Sequence, residues 1–153
     1  MSTMVHAMWA LQEEITSILE SWRAETKAQG TKIPIAVYAG YPPIRESRAE
    51  HPSYIYALVT DSEDTENDGA TVTVEIGANI YDDDKQEGCF ALYNVLEAIR
   101  IGLLKKRTVG KKHRLILPMT FAVAEEQSFP NWQGKLTVTY TIGQPREELN
   151  FNG

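Results

Sequence analysis

With 153 residues, 42% of them hydrophobic and 24% charged, the chain has the size and balance of one globular domain able to bury about 70% of its unfolded surface. A net charge of −6 argues against a general nucleic-acid binder, which needs clustered Lys and Arg against phosphates. The single cysteine, Cys89, excludes an internal disulfide, and no run reaches the roughly 18 apolar residues of a membrane span.

The start, with early charges and no basic n-region, is not expected to be a signal peptide, so a reducing compartment is the default. From Met4 to about Lys27 the spacing predicts a helix. Met4, Met8, Leu11, Ile15, Ile18 and Trp22 step by four and three along one stripe, widened by Val5, Trp9 and Leu19. Ser2 or Thr3 can cap its start, and Gly30 suits the position after its end. The stripe is expected to pack on the protein's own sheet, with Trp9 or Trp22 as the residue that would reach a neighbouring subunit.

Lys32–Tyr38 reads as a short strand that Pro34 confines to an edge or a start. Ile44–Pro52 is charged and aperiodic, a surface loop. Tyr54–Thr60 is too uniformly apolar for a strand wet on one face and is expected to be central or covered. Asp61–Gly69 is then a long acidic connection, with Asp68-Gly69 as its turn.

The next stretch organises the chain. In Ala70–Tyr81 the even positions Ala70, Val72, Val74, Ile76, Ala78 and Ile80 are all apolar, and the odd ones are mostly polar. That alternation predicts a long strand with one dry face. Asp82, Asp83 and Asp84 follow. Asp84 with Glu87 resembles a capping box, and acids suit the positive end of a helix. The helix runs to about Leu104 with Cys89, Leu92, Leu96, Ile99 and Leu103 as its buried stripe and Val95 beside it. Lys105, Lys106 and Arg107 suit its negative end.

Thr108–His113 is a basic connector. Leu115, Leu117, Met119, Phe121 and Val123 alternate in a strand that Pro118 bends or places at an edge. Glu125–Gln133 reads as a loop with an exposed Trp132. Leu136, Val138, Tyr140 and Ile142 alternate in the last strand. One domain over residues 1–153 is expected, with 143–153 a polar, mobile tail. Strands that cluster apart from helices predict an α+β fold: an antiparallel or mixed sheet with a long N-terminal helix and a second helix packed on one face.

Catalytic and metal patterns are weak. Asp64, Glu66, Asp68, Gly69 and Glu75 match EF-hand loop spacing, but both flanks read as strands where that motif needs helices. Asp82–Asp84 point in different directions from one turn, and capping accounts for them. Cys89 lies near a helix start, which favours a thiolate, yet it also lies on the apolar stripe. His6, His51 and His113 form no triad spacing with it. No catalytic residue, metal ligand or cofactor site is assigned.

The charges do suggest self-association. Asp61, Glu63, Asp64, Glu66 and Asp68 of one copy could meet Lys105, Lys106, Arg107, Lys111, Lys112 and Arg114 of the next, a head-to-tail contact of the kind that closes rings.

The order of segments resembles a known family. Tyr41-Pro42-Pro43 precedes the apolar strand Tyr54–Val59. An acid-rich turn then leads to the alternating strand Thr71–Ile80. Tyr81-Asp82-Asp83-Asp84 opens the helix around Leu92–Leu104, and Arg114–Pro118 and Glu125–Pro130 come before the final strand. This is similar, over about Pro34 to Ile142, to the tail-terminator (tail-completion) proteins of long-tailed bacteriophages. The resemblance implies an α+β protomer forming a hexameric ring that caps the tail tube and docks to the head connector. Such proteins reside in the virion neck after assembly in the host cytoplasm. They have no enzymatic activity and no cofactor, and DNA passes through them without specific binding. A head-completion protein of the same region is the nearest alternative. A small ligand-binding or calcium-binding domain is a more distant one.

Overall fold

The structure, a computed structural model, describes residues 2–25, 35–43 and 53–148. The expectations at Gly30, at Lys32–Pro34, at Ile44–Pro52 and at 149–153 lie outside the described residues. The elements in chain order are α1 (Met4–Glu25), β1 (Ile35–Ala39), β2 (Ser53–Thr65), β3 (Gly69–Tyr81), α2 (Glu87–Lys105), β4 (Thr108–Val109), β5 (His113–Val123) and β6 (Asn131–Ile142). The six strands form one mixed sheet ordered β1-β2-β3-β6-β5-β4, in which β1 runs parallel to β2 and all other pairs are antiparallel. The fold is α+β.

The even face of β3 is the floor of the core. Val72, Val74 and Ile76 have no exposure, and the facing residues Leu136, Val138 and Tyr140 of β6 are buried beside them. Both helices contribute to this cluster, α1 through Ala7, Leu11, Ile15 and Leu19, α2 through Leu92, Val95, Leu96, Ile99 and Leu103. The α1 stripe is turned relative to the expected one. Small Ala7 lies at its centre, whereas Met4, Val5 and Trp9 are exposed. Cys89 is only half-buried, with Gly88 taking the buried place at the start of α2.

Local chemistry explains the helix starts. Thr3 Oγ1 accepts the His6 backbone N–H at 3.3 Å, and His6 Nδ1 accepts the Thr3 N–H at 3.2 Å, a reciprocal cap with His where Glu is usual. Before α2, Asp84 Oδ1 accepts the backbone N–H groups of Glu87 at 2.9 Å and Gln86 at 3.0 Å. Those bonds hold the Asp84 carboxyl below its ordinary value. The Asp84 N–H is itself taken by Asp82 Oδ1 at 2.9 Å, so the acidic turn is a cap with a cap of its own.

Three loop expectations are corrected. Asp61–Thr65 is not loop but the outer half of β2, paired with Gly69–Thr73, and only 66–68 form the turn. The reason is the short β1. It pairs with β2 only over Ser53–Ala57, so beyond a bulge after Val59 the strand has no outer neighbour among the described residues. Charged side chains there reach water and block edge-to-edge pairing. The basic connector is a hairpin. Gly110 (φ 58°) and Lys111 (φ 63°) both take positive φ in the three-residue connection 110–112, where the Lys112 N–H donates back to the Val109 carbonyl at 3.3 Å. Finally, Trp132 is half-buried. Its indole covers Gly88 and donates to the Asp82 carbonyl at 3.0 Å. The polar C-terminal stretch starts tethered: Gly143 N–H donates to the Ser2 carbonyl at 2.9 Å, and Gln144 Nε2 donates to Asp64 Oδ1 at 3.2 Å.

Candidate functional site

The odd face of β3 is the one left open by the helices, and it carries a polar network. Tyr56 sits opposite Gly77 in the β2–β3 register, and its ring occupies the space a Cβ at 77 would need. Laid across that glycine, its hydroxyl donates to Glu75 Oε2 at 2.7 Å. Lys135 Nζ reaches Glu75 Oε1 at 3.1 Å from β6. Next along the face, Gln133 Nε2 donates to Asn79 Oδ1 at 3.0 Å, and Asn79 Nδ2 donates to Asn131 Oδ1 at 2.9 Å. Tyr54, Tyr56, Asn79, Gln133 and Lys135 line a cleft of about 410 Å³ here, closed at one side by Ala122–Ala124.

Partial burial pushes the Glu75 carboxyl up, but the hydrogen bonds from Tyr56 and Lys135 outweigh it and hold it below its ordinary value. The Tyr56 hydroxyl is pushed up, by burial first and then by Glu75. An ionised carboxylate with both oxygens occupied is a poor general base, and a phenol held protonated is a poor nucleophile. The pair ties β2, β3 and β6 together.

The signs give a pH dependence. Glu75, with a lowered folded value, contributes stability above about pH 4.5 that is lost as pH falls through the folded value. Tyr56, with a raised one, contributes stability below pH 10 that is lost as pH rises through its folded value. We expect the melting temperature of Glu75→Gln to lose part of the acid slope below pH 4.5 and part of the alkaline slope above pH 10, measured by circular dichroism across pH. Slopes identical to wild type would refute the network.

Tyr140 offers a second test. It is fully buried, and its hydroxyl has no hydrogen-bond partner among the described residues. Deleting an unpaired buried hydroxyl removes a desolvation cost, so Tyr140→Phe is expected to be neutral or to stabilise by up to about 1 kcal/mol in urea unfolding.

The groups considered for catalysis do not converge. His6 caps α1, and His113 is buried with Nδ1 at 2.9 Å from the Thr141 carbonyl. Cys89 lies in the first turn of α2, beside Gly88 and Trp132, where Trp132 pairs with Ile80; His113 lies at the other end of the sheet, near Ala70. His51 lies outside the described residues. Among the described residues no three His, Cys, Asp or Glu side chains group as metal ligands. The EF-hand match separates as well. Asp64 pairs with Ala70, and Glu75 lies five residues further along β3, about 17 Å away at the rise of a strand.

The charged segments do occupy a common region. Asp61, Glu63 and Asp64 are exposed on the outer half of β2, and Glu66 and Asp68 at its turn. Lys111 and Lys112 form the β4–β5 turn, and Arg114 follows on β5. Lys105, Lys106 and Arg107 are exposed at the end of α2, but Lys106 is already bonded to Glu14 of α1 at 3.1 Å, and Arg107 Nε to the Leu104 carbonyl at 3.4 Å. The register fixes their heights. Glu63 faces Thr71, Thr71 faces Thr141, and the Arg114 N–H bonds to Thr141 Oγ1 at 2.9 Å. Glu63 and Arg114 therefore stand at one level, three strand spacings or about 14 Å apart, on opposite flanks of the sheet.

No helix among the described residues is long and apolar enough to cross a membrane. No family model matches the chain, and no curated protein matches it.

Proposed function

We propose that the chain is a structural assembly protein, a tail terminator or closely related neck protein of a long-tailed phage or prophage. In this reading two helices back one face of the sheet and the flanks are left for neighbours. Copies close into a hexameric ring that caps the tail tube and docks to the head connector, and DNA passes through the ring.

The observation that carries the reading is the placement of unlike charge at one level on opposite flanks. Within one copy Glu63 and Arg114 are too far apart to pair. Two copies side by side, related by a rotation, bring the acidic half of β2 against the basic β4–β5 turn. The same contact then repeats from copy to copy, which is how a heterologous interface closes a ring. The polar network of the open face, with its acid and phenol both occupied, gives the chain no need of a substrate to satisfy it.

Reversing three cations that have no ion-pair partner among the described residues tests this. Lys111→Glu, Lys112→Glu and Arg114→Glu together replace three attractions by repulsions. At roughly 0.2–1 kcal/mol for each exposed pair, the combined change weakens self-association tenfold or more. Mixing that variant with a chain carrying Asp61→Lys, Glu63→Lys and Asp64→Lys is expected to restore association, read by light scattering, with rings visible by negative-stain imaging. A chain that stays monomeric and does not bind the ends of phage tail tubes would overturn the reading.

A further inference from the structure

Exposed ion pairs set orientation and encounter rate more than affinity, so a ring needs apolar contact as well. We infer that a second copy of this chain seats the indole of Trp9 in an uncovered apolar slot between α2 and β5 of its neighbour. The inference rests on the ring reading above and adds to it the anchor and its socket.

The slot arises because the helices do not reach the end of the sheet. α2 packs on β3 and β6, and α1 on β1, β2 and β4. Phe121 of β5 faces Leu136, a buried core residue, so Phe121 points to the helix side. There it is 43% exposed, with Tyr93 of α2, also 43% exposed, standing 5.4 Å away between ring centres. Leu117, on the same edge strand, is 47% exposed. Tyr93 and Phe121 thus form an open aromatic patch on the same flank as the basic turn, five β6 positions from Arg114, at the level of Leu136 where Arg114 stands at Thr141.

Trp9 lies on the other flank. Ala7, Leu11 and Ile15 mark the buried side of α1. Met8 contacts the Val59 N–H through its sulfur at 3.4 Å, and Gln12 donates to the Val37 carbonyl at 2.9 Å, so that side of the helix faces β1 and β2. At about 100° per residue, Trp9 lies past Met8 and Gln12 around the helix and is turned mostly away from the sheet, with its ring 5.7 Å from that of His6. It is 57% exposed. The flank with the acidic strand therefore carries the apolar knob, and the flank with the basic turn carries the apolar socket.

The heights agree too. Met8 contacts Val59, which pairs with Val74; Phe121 pairs with Leu136, which pairs with Ile76. The knob and socket differ by about two residues along β3, roughly 7 Å, the span of an indole. A contact that matches Glu63 to Arg114 in height therefore leaves Trp9 and Phe121 within about 7 Å of one another along the strands, a gap the indole can span. A buried aromatic anchor encircled by charged contacts is the usual composition of an energetic hot spot.

The test uses the full chain. Trp9→Ala and, separately, Phe121→Glu are expected to weaken self-association about 30-fold or more in sedimentation equilibrium, while leaving the melting temperature of the monomer near wild type, since both side chains are exposed. In a Cys89→Ser background, a Trp9→Cys chain mixed with a Phe121→Cys chain is expected to give a cross-link with a short bismaleimide, and neither chain alone is expected to give one. Wild-type association with normal affinity in Trp9→Ala, or a cross-link in the Trp9→Cys chain by itself, overturns the inference and leaves the ring reading standing. A chain that is monomeric at every concentration overturns the inference, and failure to bind tail-tube ends overturns the ring reading with it.

Discussion

Replacing Ile76 with alanine is expected to lower the stability of the protein by about 2–5 kcal/mol, the range for truncating a buried aliphatic side chain. Ile76 has no exposure and sits at the centre of β3. Its register partners are Ala57 on one side and Leu136 on the other. Ala57 is too small to expand into the gap, and Leu136 is fixed under α2, so the cavity should persist instead of collapsing. Thr73, on the opposite face of the same strand, is a matched control: Thr73→Ala is expected to change stability by about 0.5 kcal/mol or less. Urea unfolding of the two variants, with unchanged dependence on denaturant, measures both. Equal costs at 73 and 76 would mean that the two faces of β3 are not divided into dry and wet as described.

That division is the part of the fold most directly readable from the residues. Alternation maps onto the faces of a strand by geometry alone: the even positions of 70–80 and of 136–140 are all buried, while the odd positions 71, 73 and 75 are only half-buried. What alternation cannot say is whether a face is covered. Phe121 and Val123 follow the same pattern as Leu115, yet only Leu115 is buried, because among the described residues α2 reaches the end of β5 only at its edge, through Tyr93. Composition misleads where an edge is involved. Asp61, Glu63 and Asp64 look like loop, but a strand with no outer neighbour among the described residues tolerates and uses such charges. Large apolar residues misplace the α1 stripe, since the residue nearest the core at its start is Ala7. Trp132 becomes half-buried and His113 buried through contacts far away in sequence, with Asp82 and with Thr141. The charged residues of the candidate site were visible as segments. Their common level on opposite flanks was not, because it depends on the strand order β2-β3-β6-β5.

The crossing of the two helices supplies the second large effect. Gly102 lies in the last turns of α2 against Ile18 of α1, and a Cβ placed there would stand 2.5 Å from Ile18 Cδ1, 2.6 Å from Cγ1 and 3.0 Å from Cγ2. Two opposed terms decide the outcome of Gly102→Ala. Alanine is favoured over glycine inside a helix by about 1 kcal/mol. Overpacking a well-filled interior costs about 1–3 kcal/mol. Ile18 branches at Cβ, so turning about its first torsion moves one γ carbon away only by bringing the other closer. The helices must separate instead, and overpacking should win, for a net loss of up to about 2 kcal/mol. In Ile18→Ala/Gly102→Ala the new methyl fills space that Ile18 has vacated, so the double variant should be more stable than the two single costs summed, with a coupling of at least about 0.5 kcal/mol. Additive costs would show that Gly102 is there for some reason other than the close approach of α1.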